Sequence, residues 1–217
     1  MSSGLSEREE LRDLFGRHVG EDVARAATER GIELGGEERE VAVLFVDLVG
    51  STQLAVEHSP SEVVGSLNAF FAVVVEVVES NGGWINKFVG DAALAVFGAP
   101  IPREDAAGSA LAAARELVGR LRDELSDLDA GIGVSAGRVV AGNVGAESRF
   151  EYTVIGDPVN EAARLCELAK DDDARVIASS AALERAGVQE REHWQLGEPV
   201  QLRGRSEQTR PATPVRG

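Results

Sequence analysis

Two apolar runs of six residues, Trp84–Val89 and Ala92–Phe97, stand only two residues apart, joined by Gly90-Asp91. That spacing predicts a tight β-hairpin. The stretches on either side of it are patterned for helix. Pro60-Ser61 opens a long apolar segment running to about Glu79 and closed by Asn81-Gly82-Gly83. After Pro100 and Pro102, the segment from Glu104 to about Leu125 repeats Ala107, Leu111, Ala114, Leu117 and Leu121 at helical spacing. Strand-like runs at Val41–Val46 and Ile132–Val140 lie outside both helices. The order strand, helix, strand, strand, helix, strand specifies an α+β fold on the ferredoxin-like βαββαβ plan. Additions follow: a loop at Gly142–Glu147, a strand at Phe150–Ile155, a helix at Val159–Ala169, a short strand at Arg175–Ala178 and a terminal hairpin within Trp194–Arg203.

The ends of the chain read differently. Within residues 1–36, Leu11, Leu14, Phe15, Val19, Val23 and Ala27 form an apolar stripe broken by Gly16 and Gly20 and ended by Gly31 and Gly35-Gly36. This is a helical connector whose face either packs on its own domain or pairs with a second copy or an upstream segment. The α+β domain spans 37–204. Residues 205–217 are polar with two prolines and are expected to form a flexible tail.

Composition removes several function classes. Acids outnumber bases by 37 to 22, a net charge of -15, so the chain has no general attraction for nucleic acid or an anionic membrane surface. Cys166 is the only cysteine, which excludes a disulfide framework and a cysteine-based zinc site. No apolar run is read as a membrane span of ~20 residues, and Met1–Glu10 is too polar for a signal peptide. A cytoplasmic protein is the expectation.

An anionic ligand would therefore need a local device, and three places offer one. Asp47 ends an apolar strand and is followed by Leu48-Val49-Gly50-Ser51-Thr52, a turn opening a helix whose N–H groups could hold phosphate. Asp91 sits at the hairpin tip. Two carboxylates on neighbouring strands suit a hard divalent cation; taken singly, Asp47 is an ordinary cap and Asp91 an ordinary turn former. Asn160 and Arg164 share one helix face, a clamp for a phosphate whose charge grows, although a lone Arg164 would as readily pair with Glu161 or Glu167. Lys87 by itself is a solvated strand lysine.

Four segments, in order, are similar to the catalytic domain of class III adenylate cyclases. They are Phe45-Val46-Asp47-Leu48-Val49-Gly50-Ser51-Thr52, Asn86-Lys87-Phe88-Val89-Gly90-Asp91, the run 137–145, and Ile155-Gly156-Asp157-Pro158-Val159-Asn160-Glu161-Ala162-Ala163-Arg164-Leu165. The resemblance runs from about Glu37 to Arg203. It implies conversion of ATP to 3′,5′-cyclic AMP and diphosphate with two Mg²⁺ or Mn²⁺ ions, in head-to-tail homodimers with two interfacial active sites. By resemblance, Asp47 and Asp91 bind metal, with the Leu48 carbonyl an extra ligand, and Gly50, Ser51 and Thr52 lie against phosphate. Lys87 reads adenine together with Thr153, where many members carry Asp and a bacterial subgroup carries Thr. Asn160 orients the ribose and Arg164 meets transition-state charge. Arg203 falls where a triphosphate-contacting cation is placed. Asp47 and Asp91 of one subunit would meet Lys87, Thr153, Asn160, Arg164 and Arg203 of the other. Leu11–Val19 resembles the lead-in of bacterial members with an upstream sensor or HAMP module, which implies a longer, membrane-anchored parent. The alternatives are a guanylate cyclase, whose members usually carry Glu and Cys-type residues at positions 87 and 153, and a non-catalytic nucleotide-sensing or dimerisation module. A diguanylate cyclase is disfavoured because its Gly-Gly-Asp/Glu-Glu-Phe hairpin is absent.

Overall fold

The computed structural model of the protein describes residues 34–215 together with Gly20. The expected connector helix therefore lies, Gly20 and its last three residues apart, outside the described residues. The elements in chain order are β1 (Gly35–Leu48), α1 (Ser51–Glu57), α2 (Pro60–Ser80), β2 (Trp84–Val89), β3 (Ala92–Phe97), α3 (Ala106–Glu124), β4 (Ala130–Ala146), β5 (Arg149–Ile155), α4 (Asp157–Ala169), β6 (Val176–Ser179), α5 (Ser180–Arg185), α6 (Val188–Arg191), β7 (Trp194–Leu196) and β8 (Pro211–Pro214). The sheet order is β2-β3-β1-β4-β6-β8-β7, with β5 paired to β4. Its first four strands, joined through α2 and α3, are the ferredoxin-like unit.

Strand alternation in β1 builds two cores. Ala42, Leu44, Val46 and Leu48 face Phe70, Val74, Val77 and Val78 of α2 and Leu111, Ala114 and Leu117 of α3. Val41 and Val43 face the other way, into a smaller core with Trp84, Leu94, Val96, Val154 and Ala162, against which Phe45 and Tyr152 pack. The chemistry-bearing residues belong to this second face, which β5 and α4 cover.

Helix α2 starts where its sequence says it should. Ser59 accepts from the Glu62 N–H, Glu62 Oε2 accepts from the Ser59 N–H at 2.8 Å, and Pro60 takes the first helical position. Contrary to the expectation that no run reached membrane-spanning length, α2, with 21 residues, is by length and composition long and apolar enough to cross a membrane. Here its Phe70–Val78 stripe is spent on the larger core.

Helix α4 approaches the sheet through glycine. A Cβ at Gly133 would lie 2.0 Å from Ala162 O and 2.4 Å from Cys166 N, both backbone atoms of α4. Gly133→Ala is therefore expected to lift α4 and destabilise the protein by about 2–3 kcal/mol, read as a lower urea midpoint at unchanged m-value.

Three expectations are corrected. The terminal hairpin does not close within Trp194–Arg203: β7 pairs with β8, and the intervening segment carries an isolated Val200↔Thr209 bridge. The expected flexible tail over 205–217 instead includes β8, inserted between β6 and β7, and the buried Thr209. Pro211 and Pro214 occupy the two ends of β8, where a missing N–H disturbs the ladder least. Finally, the glycines at 142–145, expected as a loop, extend β4 to Ala146, and Gly35-Gly36 begin β1. These glycines permit close packing: a Cβ at Gly142 would meet Gly35 O at 2.0 Å.

Candidate active site

Asp47, the penultimate residue of β1, lies on the second face, level with Ala92 of β3 and Gly131 of β4. Asp91 immediately precedes Ala92 in the β2–β3 turn, where Gly90 takes a left-handed φ of 65°. Asp91 lies close enough to Asp47 for its negative charge to act on the Asp47 carboxyl. Burial raises the Asp47 pKa above the usual carboxylate range and Asp91 pushes it further, while Lys170 opposes both. Lys170 Nζ donates to Asp47 Oδ2 at 2.6 Å and lies 3.3 Å from Glu167 Oε1. Burial alone would lower the Lys170 ammonium, but its bonds to Asp47 and Glu167 outweigh that and hold it raised. Sequence reasoning missed Lys170. A lysine just past a helix C-terminus reads as a dipole partner, and nothing in its neighbours points to a strand far upstream.

Among the described residues no group of three or more His, Cys, Asp or Glu side chains converges on a metal position. Two adjacent carboxylates, one of them strained by burial and by the other, are nevertheless the usual donor set for Mg²⁺, which keeps waters and takes up substrate phosphate oxygens. The donor set fits. Leu48 is 3% exposed with its side chain in the larger core, so its backbone carbonyl is the group it could offer a cation. Gly50, with a left-handed φ of 70°, caps α1, and the Gln53 and Leu54 N–H groups both return to its carbonyl. Ser51 and Thr52 thus open a helix whose first N–H groups have no intrahelical acceptor.

The residues matched to base reading meet on the same face. Lys87 sits opposite Leu94 in the hairpin and forms an ion pair with Glu151 of β5. Thr153, buried at 6% exposure, donates to Asn86 Oδ1 at 3.0 Å, and Asn86 Nδ2 donates to Tyr152 O at 2.8 Å. One asparagine thus ties β2 to β5 and sets Thr153 beside Lys87. Neither Asn86 nor Glu151 was singled out in the sequence, because β2 and β5 are not partners in the ladder.

Helix α4 buries Pro158, Glu161, Ala162, Leu165, Cys166 and Ala169 and leaves Asn160 and Arg164 exposed. The acids a lone Arg164 would pair with are engaged elsewhere, Glu161 by Arg205 and Glu167 by Lys170. Counting back from Lys170 along the helix, Arg164 and Asn160 lie ~9 Å and ~15 Å from the end that touches Asp47. Within the described residues Asp47 is paired with Lys170, not with Arg164.

Arg203 is exposed, directly after Leu202, which is buried against Leu165, Ala169 and Ile177. The more engaged cation is Arg205, unremarked in the sequence. It bonds Asp157 and the buried Glu161, and Glu161 also accepts from Ser135 and Thr209. This network clamps the C-terminal segment to the start of α4. A cleft of about 580 Å³ lined by Asn81, Asp105, Ser109, Glu190 and His193 lies on the helix side of the sheet, remote from all these groups.

Comparison with known proteins places this geometry. An uncharacterized protein of Mycobacterium tuberculosis, Rv1319c, is 58% identical over 215 residues, covering 99% of this chain and 40% of its own length. A second from that organism, Rv1318c, is 56% identical over the same share. The chain thus spans about two fifths of the curated relatives it matches. Among solved structures, the guanylyl cyclase Cya2 is 32% identical, with a TM-score of 0.72 over 83% of this chain and 94% of its own. The adenylyl cyclase CyaB from P. aeruginosa shares the fold at 24% identity, with a TM-score of 0.74 over 85% of this chain and 97% of its own. The sequence model of the adenylate and guanylate cyclase catalytic domain matches residues 36–210, and with that match over most of its length the chain belongs to this family.

Proposed function

We propose that the protein is an adenylate cyclase that converts ATP to 3′,5′-cyclic AMP and diphosphate at two sites shared across a head-to-tail homodimer. The observation that carries the reading is the Asp47–Asp91 pair at one end of the paired strands β1 and β3, in a chain whose exposed Asn160 and Arg164 lie further along α4 than Lys170, the residue that touches Asp47. A second copy related by a two-fold axis would bring its Asn160–Arg164 pair to these carboxylates, and the symmetry would do so twice. Exposed apolar side chains on the β2–β3 hairpin and the β4–β5 arm, Phe88, Val89, Val140, Val144, Phe150 and Ile155, support a covering partner.

Each residue then has a physical task. The ribose 3′-oxygen attacks the α-phosphorus, and the bond to the departing diphosphate breaks in line. Asn160 holds the ribose, and Arg164 meets negative charge as it grows on the α-phosphate. Asp47 and Asp91 would hold two Mg²⁺ or Mn²⁺ ions, which would supply a lowered hydroxyl pKa and screening of the phosphate charge. Arg203 extends toward the triphosphate. Lys87 must leave Glu151 to donate to adenine N1, an acceptor, while the Thr153 hydroxyl, which donates or accepts, takes the adjoining edge. His58 and His193 lie outside these elements, so the reading needs no histidine base.

A guanylate cyclase is the second reading, favoured by the 32% identity to Cya2. Against it stands Lys87, because guanine presents donors where adenine presents N1. Incubation with ATP or GTP and Mn²⁺, with chromatography of the products, tests the proposal. Cyclic AMP is the expected product; cyclic GMP formed in preference would transfer the reading to guanine, and no cyclic nucleotide from either would overturn it. Residues 1–36 would join this domain to an upstream sensor in a longer, membrane-anchored parent, with the domain itself in the cytoplasm.

A further inference from the structure

Lys170 has no part in the reaction just described, yet it sits against Asp47 and Glu167, beside the carboxylate pair assigned to metal. Its ammonium lies 2.6 Å from Asp47 Oδ2, and the two side chains are only 22% and 17% exposed. Asp91 crowds the same carboxyl. An ammonium at hydrogen-bond distance and a divalent ion at ~2.1 Å would compete for the same oxygen and repel each other. Glu167, one helical turn back, offers the ammonium a second seat already 3.3 Å away.

We infer that Lys170 is a tethered counter-cation of the Asp47–Asp91 pair, displaced onto Glu167 when a divalent ion enters. The inference rests on the reading of Asp47 and Asp91 as metal ligands. It makes Lys170 a positioning residue that sets how readily the site accepts metal: the metal-free pair is kept from repelling itself, and weak ions are kept out until phosphate oxygens add their own hold.

Direct Mn²⁺ titration of the 217-residue chain without nucleotide, following free Mn²⁺ by electron paramagnetic resonance, tests this. Lys170→Met is expected to tighten Mn²⁺ binding about fivefold and to enlarge the Mn²⁺-induced rise in Tm. Lys170→Arg, which keeps the charge, is expected to bind as the wild type does. Glu167→Gln, at an exposed position, removes the second seat and is expected to weaken Mn²⁺ binding in the wild type more than in the Lys170→Met background. Unchanged or weaker Mn²⁺ binding by folded Lys170→Met overturns the inference; weaker binding would make Lys170 a helper of the metal site instead of its competitor. Asp47→Asn separates the two levels. If it abolishes Mn²⁺ binding while Lys170→Met has no effect, only the role of Lys170 falls. If it leaves Mn²⁺ binding untouched, the metal reading falls as well.

Discussion

Asp47→Ala and Asp91→Ala are each expected to lower cyclase turnover by about a thousandfold, because these two carboxylates are the protein charges assigned to hold the divalent ions that would screen the phosphates. The fold should survive. Asp47 is the penultimate residue of β1, and the larger core beneath it is made by Ala42, Leu44, Val46 and Leu48 on the opposite side of the strand. Lys170 loses its partner in Asp47→Ala but keeps Glu167. Circular dichroism and Tm should therefore stay close to wild type while product formation disappears. Asp47→Asn is the sharper variant, since it keeps the volume and removes only the charge. More than a few per cent of wild-type turnover in either alanine variant would return these residues to the ordinary roles of strand-end cap and turn former.

How much of this could be read from the sequence varies with the range of the interaction. The β2–β3 hairpin matched its expected bounds at both strands, because a two-residue Gly-Asp link leaves no other way to connect them. The α2 boundary was equally legible, since proline, serine and glutamate act on their own neighbours. The candidate residues Asp47 and Asp91 were legible as types, and their meeting follows from β1 pairing with β3. What escaped depends on contacts across elements that no local pattern encodes. Lys170 reaches Asp47 because Gly131 and Gly133 let α4 down onto the sheet, and nothing in the local pattern marks those two glycines as the point of approach. Asn86 meets Thr153 because β5 lies across β2 without pairing to it. Arg205 and β8 were mistaken for tail, since a four-residue strand bounded by prolines carries no periodicity; its place is fixed by β6, β7 and the buried Glu161.

The central claim is that each active site takes its aspartates from one copy and its Asn160–Arg164 pair from another. Asp47→Ala and Arg164→Ala should each be almost inactive alone, since every site in either homodimer lacks one half of the machinery. Mixed, they form heterodimers in which one site carries both lesions and the other carries none. Random assortment makes about half of the dimers mixed, each with one of two sites intact, so activity should recover to about a quarter of wild type. The measurement is cyclic-nucleotide production by an equimolar mixture, with subunit exchange confirmed independently by differently tagged copies. Recovery near a quarter is the predicted result; no recovery in a mixture proven to contain heterodimers would contradict the shared site.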